Sequence, residues 1–269
     1  KKISFDFINL PSNLRTLTLS KITFNKKIEK FPERLENLSF VSDYNYSLDN
    51  LPLSLKMFQF NGYCSILQDY SYTNIALLSI RGKYTSPILG LPKTLIHLNY
   101  YSDIVHKLPA LPPNMKILNI SGDYDFVFEN LPHSLFQLTI YTCDEPFLKS
   151  KYNRELPSNK LYYFNPGDSY DKDINRSSNS INRLYLGRGY NGKDIDISNL
   201  KLVQLKIKAD CRSLKLGTCL KRLSLTGSYN QKIIFPDSLE ELELNGEFDG
   251  KLNLENTKLN KLITGDKFN

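Results

Sequence analysis

The sequence predicts a repeat solenoid built around one parallel β-sheet, and two observations carry that prediction. The phrase "LPHSLFQLTI" at 131–140 has near-copies at 10–19, 91–100, 111–120 and 235–244. These copies follow a period near 20 residues, which is typical of an array that grows by stacking identical units rather than by enlarging one core.

The period is counted from an anchor, the apolar residue four positions after the opening Leu or Phe. The first seven anchors lie 20 or 21 residues apart, and the last five lie 18 to 21 apart. The anchors are Leu14, Leu35, Leu55, Ile75, Leu95, Met115, Leu135, Ile181, Leu202, Leu220, Leu239 and Leu259. With one distorted unit between Leu135 and Ile181, about 13 repeats are expected.

Each unit has the same apolar pattern. Apolar residues occupy the anchor (position 0), +3 and +5, as in Leu135, Leu138 and Ile140, and the +3/+5 alternation predicts a strand. An aromatic residue often follows at +9, namely Tyr44, Tyr84, Tyr124, Tyr190, Tyr229 and Phe248. Another apolar residue follows at +13, namely Leu48, Ile88, Leu108, Phe128, Ile233 and Leu252. A single unit cannot bury all of these side chains, so neighbouring units must share one continuous core.

A proline three residues before the anchor opens most units. Proline lacks an N–H and disfavours helix in the residue before it, so it predicts a turn or an extended return segment. Twenty residues are also short for a strand and a full helix. We therefore expect a horseshoe with the sheet on its concave face and few or no regular helices on its convex side.

The 20-residue period is interrupted between residues 141 and 180. Lys160 stands where "ELPSNKLYYF" should have its anchor, and either Leu161 alone or Leu161 with Tyr163 could supply the strand. The polar stretch "PGDSYDKDINRSSNS" predicts a protruding loop. The chain is thus interpreted as one repeat domain, 1–269, with an insertion-containing stretch at about 141–180.

The whole unit resembles the FNIP repeat, which belongs to the leucine-rich-repeat type. That repeat joins an LP-NSL-x-x-L-x-F-G opener to an F-N-Q-P-I second half, and "FNKKI" at 24–28 and "GSYNQKI" at 227–233 are similar to the latter. The family occurs mainly in social amoebae and their giant viruses, often behind an F-box. The resemblance implies a leucine-rich-repeat-like fold and an interaction module without catalytic residues.

A second resemblance is to the short leucine-rich repeats of bacterial effectors, which share the Leu-Pro opener. Those units carry an Asn ladder at about +8. Here position +8 holds Ile22, Asp43, Tyr63, Lys83, Asp103, Asp123 and Cys143. The ladder is missing, so the FNIP-type interpretation is preferred.

The composition points away from catalysis and from membranes. There is no phosphate loop, no G-x-S-x-G and no H-E-x-x-H, and the four cysteines and three histidines are scattered. We therefore predict no catalytic, metal or cofactor site and no enzyme activity. There is no apolar run long enough for a membrane span, so an intracellular, cytoplasmic location is expected (the host cytoplasm for a viral protein).

Specificity should reside at positions +2, +4 and +6, which alternate with the core positions and face the concavity. The segment 201–222 has seven basic residues and one acidic residue, and the chain carries a net charge of +7. Tyrosine and arginine are common anchors of protein interfaces. The predicted partner-binding residues are Tyr101, Tyr141, Arg183, Tyr185, Lys206, Lys208 and Arg222.

The sequence therefore predicts a non-enzymatic protein-interaction scaffold whose partner presents an acidic surface. The alternative is a nucleic-acid-binding solenoid in which the same tyrosines stack on bases. The chain starts at Lys1, within the second half of a repeat, so a further domain upstream is expected. An F-box there would make the repeats a substrate receptor, and uncapped ends would permit self-association.

Overall fold

The computed structural model describes residues 10–102, 106–121, 131–141, 161–168, 170, 174, 180–229, 231–248 and 252–265. The chain divides into two compact units, unit 1 (Lys1–Leu135) and unit 2 (Phe136–Asn269). Each unit is a stack of parallel strands.

Unit 1 has eight strands in its described residues. They are β1 (Thr16–Ser20), β2 (Asn37–Val41), β3 (Met57–Asn61), β4 (Gln68–Asp69), β5 (Leu77–Gly82), β6 (Ile88–Gly90), β7 (His97–Ser102) and β8 (Ile117–Ser121). The main sheet runs in the order β1-β2-β3-β5-β7-β8, and every pair in it is parallel. Strands β4 and β6 form a separate two-stranded ladder.

Unit 2 has nine strands in its described residues. They are β9 (Gln137–Tyr141), β10 (Tyr163–Asn165), β11 (Arg183–Leu186), β12 (Asp194–Asp196), β13 (Gln204–Ile207), β14 (Ser213–Lys215), β15 (Arg222–Leu225), β16 (Glu241–Leu244) and β17 (Lys261–Thr264). The main-sheet order is β9-β10-β11-β13-β15-β16-β17, all parallel, and β12 pairs with β14.

The predicted architecture is confirmed in the described part of the chain. Six main-sheet strands in unit 1 and seven in unit 2 match the expected number of about 13 repeats. Helix is almost absent: a three-residue 3-10 helix, Arg188–Tyr190, is the one helical segment that the described residues contain. In the described residues, the segments that connect the main-sheet strands are therefore turns and short extended stretches.

The strands pair in repeat register, so that equivalent positions of successive units lie side by side. In unit 1 the +3 residues Leu17, Leu38, Phe58, Leu78, Leu98 and Leu118 form one continuous row. In unit 2 Leu138, Phe164, Leu184, Leu205, Leu223, Leu242 and Leu262 form the equivalent row. Because equivalent side chains stack on one another, the core is a ladder rather than a globule.

The +9 aromatic residues fill the second layer of this core. Tyr44, Tyr84, Tyr190, Tyr229 and Phe248 are all buried, as predicted. The Tyr44 hydroxyl accepts a hydrogen bond of 3.0 Å from the Ile28 N–H, and the Tyr229 hydroxyl donates one of 3.0 Å to the Ala209 carbonyl. Tyrosine can replace phenylalanine at these two positions because each of the two hydroxyls has a backbone partner. The predicted residues Tyr124 and Phe128 lie outside the described residues.

The Leu-Pro opener is a tight turn that closes onto the anchor. In seven units the anchor N–H donates to the carbonyl of the proline three residues earlier, at 3.0–3.1 Å; the anchors are Leu14, Leu35, Leu55, Leu95, Met115, Leu135 and Leu239. The proline is thus the first residue of a turn whose last residue begins the buried row. This confirms a turn at the proline.

The serine or threonine just before the anchor links one unit to the preceding one. Its hydroxyl donates to the anchor carbonyl of the previous unit: Ser54 to Leu35 (2.7 Å), Thr94 to Ile75 (3.0 Å), Ser134 to Met115 (2.6 Å), Ser180 to Leu161 (3.1 Å) and Ser238 to Leu220 (2.7 Å). The recurring hydroxyl of the opener is therefore a structural cross-link, a role that its sequence position alone did not indicate.

The distorted unit has its anchor at Leu161. Tyr163 pairs with Gln137 on one side and Arg183 on the other, which places Leu161 at position 0, and Leu161 is buried. Leu161 lies 26 residues after Leu135 and 20 before Ile181. The extra residues therefore precede Leu161, within a stretch (142–160) that lies outside the described residues.

Two residues of the predicted loop belong to the core. Tyr170 and Ile174 stand at +9 and +13 from Leu161, and both are buried. The segment after β10 is therefore an ordinary repeat at these two positions, and the expectation of a protruding loop is wrong for them. The sequence does not reveal the repeat here because the surrounding residues are polar and turn-rich, which predicts a loop.

Replacing Ser238 by alanine should destabilise the protein. The Leu220 carbonyl would lose its hydroxyl donor, at a cost of about 1 kcal/mol. The measurement is the free energy of unfolding from urea denaturation followed by circular dichroism. Ser228→Ala is the matched control because the Ser228 hydroxyl makes no hydrogen bond to the described residues. Equal midpoints for the two variants would contradict the cross-link.

Candidate functional site

The exposed face of the main sheet carries the side chains at +2, +4 and +6. In unit 1 the last two strands of this face, β7 and β8, carry a polar cluster in which His97 Nε2 lies 2.9 Å from Asn99 Oδ1, and Asn119 Nδ2 donates to the same oxygen at 2.8 Å. The Arg81 guanidinium lies 4.9 Å from the centre of the Tyr101 ring on neighbouring strands. Tyr101, a predicted site residue, is thus half-buried and held by a cation.

In unit 2 the register brings four predicted face residues together. Arg183 pairs with Gln204, and Tyr185 pairs with Lys206, so these residues form two adjacent rows on β11 and β13. Alternation puts all four side chains on the exposed face. We call Arg183, Tyr185, Gln204 and Lys206 the quartet.

Asp168 neutralises one of the predicted cations. Lys208 Nζ lies 3.1 Å from Asp168 Oδ2, and the Tyr185 hydroxyl donates to Asp168 Oδ1 at 3.2 Å. The Asp168 carbonyl also accepts the Gly189 N–H at 2.6 Å. Burial first, and then the Asp168 carboxylate, raise the pKa of Tyr185 above its ordinary value.

A second predicted cation, Arg222, is also paired. Its Nε donates to Glu241 Oε1 on the next strand at 3.1 Å, and both side chains are partly exposed. The adjacent pair Lys221–Glu240 repeats this contact at 2.7 Å. Exposed ion pairs such as these add little stability to the fold. In each pair, however, the cation is already bound to a carboxylate of the protein and is less available to a carboxylate of a partner.

Arg183 and Lys206 differ from these residues because neither forms an ion pair with any described residue. The Arg183 guanidinium lies 5.7 Å from the centre of the Tyr162 ring, and Tyr162 stacks on Phe136 with 4.8 Å between ring centres and an angle of 8°. We call Phe136 and Tyr162 the aromatic pair. Phe136 is 48% exposed.

Asp168 and the aromatic pair were not among the residues predicted from the sequence, although the sequence contains a signal for both. With the anchor at Leu161, Asp168 falls just past the end of β10, at the level of Lys208 on the exposed face. Phe136 and Tyr162 both occupy +1, one residue before their strands begin. Aromatic residues at +1 in successive units stack at the edge of the sheet. The predicted residue Tyr141 lies exposed at the end of β9.

One groove of the exposed face lies near the quartet. This groove, of about 110 Å³, runs over β13 to β17 and is lined by Arg222, Glu241, Glu243 and Lys261. Small-molecule sites usually enclose about 300–1,000 Å³. The groove is thus suited to a protruding side chain rather than to a substrate.

Cysteines and metals add no further chemistry within the described residues. Cys64 and Cys211 are buried free thiols and Cys219 is exposed, whereas Cys143 lies outside the described residues. No group of three or more His, Cys, Asp or Glu residues that could hold a metal occurs in the part of the chain the structure covers. Nor does that part contain a helix long and apolar enough to cross a membrane.

Comparison with solved structures identifies the fold. No family model and no curated protein matches the chain. Two chains of solved structures do match, among them CroV588 from the giant virus CroV, described as a novel circular leucine-rich-repeat protein. The match has a TM-score of 0.67 and 20% identity and covers 97% of this chain. The fold is a leucine-rich-repeat-like solenoid.

The similarity has a limited extent. The chain spans about half the length of the solved structure, since 48% of that chain is covered. At 20% identity the likeness concerns the fold alone. Solenoids of this type are generally used for protein–protein interaction and are typically non-catalytic.

Replacing Asp168 by asparagine should lower the pKa of Tyr185. The carboxylate repels the phenolate, so removing its charge favours ionisation, while burial keeps the pKa above that of an exposed tyrosine. The measurement is the pH titration of the Tyr185 ring carbon by NMR, assigned with Tyr185→Phe. A titration unchanged by Asp168→Asn would contradict the contact.

The two cysteines of the 201–222 segment should react at very different rates. Burial raises the pKa of Cys211 to about 11, so only about 0.1% of it is thiolate at pH 8, whereas Cys219 is exposed. Timed iodoacetamide labelling at pH 8 followed by peptide mass spectrometry should show Cys219 modified first. In urea the two rates should converge, and equal rates in the native protein would refute the assignment of Cys211 to the core.

Proposed function

We propose that the protein is a non-enzymatic scaffold that binds a protein partner through the exposed face of its main sheet. The observation that carries this proposal is the contrast between the rows. The core rows are nearly uniform, whereas the exposed rows change from Thr18 and Gln59 in unit 1 to Arg183 and Lys206 in unit 2. The uniform core rows stabilise the fold. The side chains of the exposed rows differ from unit to unit, so they can provide specificity for a partner.

The unit is of the FNIP type in this proposal. The opener's proline, hydroxyl and anchor act together as a turn and an inter-unit cross-link, which gives the LP-x-SL pattern a physical basis. An F-box-type protein that uses the repeats to recognise its substrate would suit such a module. Its expected location is the cytoplasm, or the host cytoplasm for a viral protein.

Charge supports an acidic partner. On the exposed face of β11 to β17 and the turns beside them, the cations Arg183, Lys206, Lys208, Arg222 and Lys261 outnumber the carboxylates Asp168, Glu241 and Glu243. An excess of positive charge steers an acidic protein surface toward the face and raises the association rate.

Self-association of the protein stays a prediction from the sequence.

Nucleic acid is the second candidate because an arginine adjoins stacked aromatic rings at the aromatic pair. Base stacking on such rings is a common mode of single-strand binding. Binding to a mixed RNA pool should then weaken steeply with salt as phosphates are neutralised. The absence of RNA binding at low salt would reject this candidate.

The proposed function is tested by selecting binders from a displayed library of protein fragments. Selected fragments should lose binding to Gln59→Trp or Lys206→Trp, since a bulky ring on the exposed face blocks docking. The control is Lys232→Trp, which adds the same ring at an exposed position between β15 and β16. Binding is measured by biolayer interferometry.

Two outcomes would overturn the proposal. One is a library that yields no binder at all. The other is a set of binders whose affinity falls no more with the two face variants than with Lys232→Trp.

A further inference from the structure

We propose that the quartet and the aromatic pair together form a composite site for one segment of the partner, an extended segment with an acidic residue two positions from an apolar one. Arg183 and Lys206 would bind the carboxylate, and Phe136 and Tyr162 would receive the apolar side chain. This inference rests on the proposed function and names the chemistry of the partner.

The first argument is the pattern of charge neutralisation. Of the seven basic residues in 201–222, five form ion pairs within the described residues: Lys208, Arg212, Lys215, Lys221 and Arg222. The remaining two are Lys201, which lies before β13, and Lys206, which lies on the exposed face. On β11 and β13, Lys206 and Arg183 are therefore the face cations left available to an external carboxylate.

The second argument is geometric. Arg183 and Lys206 are diagonal neighbours on β11 and β13, separated by one strand spacing and two residues. Such diagonal neighbours lie about 7–8 Å apart at their backbones. Side chains as long as arginine and lysine can converge on one carboxylate from that separation, and the Gln204 amide beside Arg183 can add a hydrogen bond.

The third argument is preorganisation. Arg183 lies over the Tyr162 ring, which is itself stacked on Phe136, so less freedom is lost when the guanidinium binds. Tyr185 is held on the other side by its hydrogen bond to Asp168. The quartet is thus framed by fixed aromatic rings.

Glu243, a carboxylate that is electrostatically coupled to Lys206, is already engaged. Glu243 accepts a hydrogen bond from Asn245 Nδ2 at 2.5 Å, and the neighbouring Ser224 and Asn245 side chains lower its pKa ahead of the weaker influence of Lys206. Glu243 forms no ion pair with Lys206 within the described residues. The Lys206 ammonium is therefore left for the partner.

The aromatic pair determines which kind of side chain the partner should carry near its acidic residue. Phe136 and Tyr162 stand at the starts of β9 and β10, the two strands that precede β11. Strands are about 4.8 Å apart, so the pair lies within about 10 Å of Arg183. In an extended peptide, residues two apart share a face and lie about 7 Å apart, which matches an acid on the quartet and an apolar residue on the pair.

The test uses three fluorescein-labelled octapeptides and the full chain. One repeats Glu-Ser-Leu-Ser, the second repeats Lys-Ser-Leu-Ser and the third repeats Glu-Ser-Ala-Ser. Fluorescence anisotropy should show the Glu/Leu peptide binding about tenfold more tightly than either of the others. No detectable binding of the Glu/Leu peptide at millimolar concentration would overturn the inference.

Charge reversal then distinguishes binding by the quartet from a general effect of the protein's net charge. Arg183→Glu with Lys206→Glu should reverse the preference, so that the Lys/Leu peptide binds more tightly than the Glu/Leu peptide. The control is Lys201→Glu with Lys232→Glu, which changes the net charge equally away from the quartet. Equal shifts in the two double variants would overturn the quartet. Circular dichroism melting curves verify that both variants are folded.

Phe136→Ser tests the aromatic pair. It should remove the advantage of leucine over alanine in the glutamate peptides and leave the preference for Glu over Lys in place. An unchanged leucine advantage would overturn the role of the pair. A different result would be selected fragments that bind the charge-reversed variant as tightly as the unmodified protein and still lose binding to Gln59→Trp or Lys206→Trp. That result would refute this inference and leave the scaffold function intact.

Discussion

The structure depends on one constraint, the repeat register of the backbone between successive units. The carbonyl at +1 accepts the N–H groups of +1 and +2 in the next unit. Lys56 and Met57 thus donate to Glu36 at 2.8 and 3.0 Å, and Asn182 and Arg183 donate to Tyr162 at 2.9 and 3.0 Å. At Leu35 and Met115 the proline turn pairs the anchor N–H, the serine of the next unit pairs the anchor carbonyl, and these inter-unit bonds pair the N–H of +1. The buried corner therefore leaves no unpaired backbone group at those positions.

Register also explains why the period tolerates so little variation along the main sheet. A slip by one residue would exchange the core and exposed rows of a strand, because side chains alternate between the two faces. Length can vary only where the chain leaves the strands. The spacings of 18 and 19 after Leu202 and Leu220, and that of 26 after Leu135, are differences in the return segments, since the paired strands keep equivalent positions together.

The sequence was a good guide to everything that repeats. The anchors, the +3/+5 strand residues and the +9 tyrosines could be assigned because apolar periodicity is a property of the chain itself. Leu161 could be named for the distorted unit, but Tyr170 and Ile174 could not, because Lys160 stands at the expected anchor position and the polar stretch after it predicts a loop. The charge pairing was harder still. Asp168 and Lys208 are 40 residues apart in sequence, and only the strand order makes them neighbours.

Pairing between units changes how the basic segment should be interpreted. A run of seven cations reads as one positive patch in sequence, but a solenoid places the acids of neighbouring units beside them and cancels most of the charge locally. The positive charge that remains belongs to the cations whose neighbours on adjacent strands are neutral. Arg183 lies beside Tyr163 and Gln204, and Lys206 lies beside Tyr185 and Ser224. In a parallel stack, local recognition chemistry is therefore determined by the mismatch between adjacent units rather than by the net charge of any one of them.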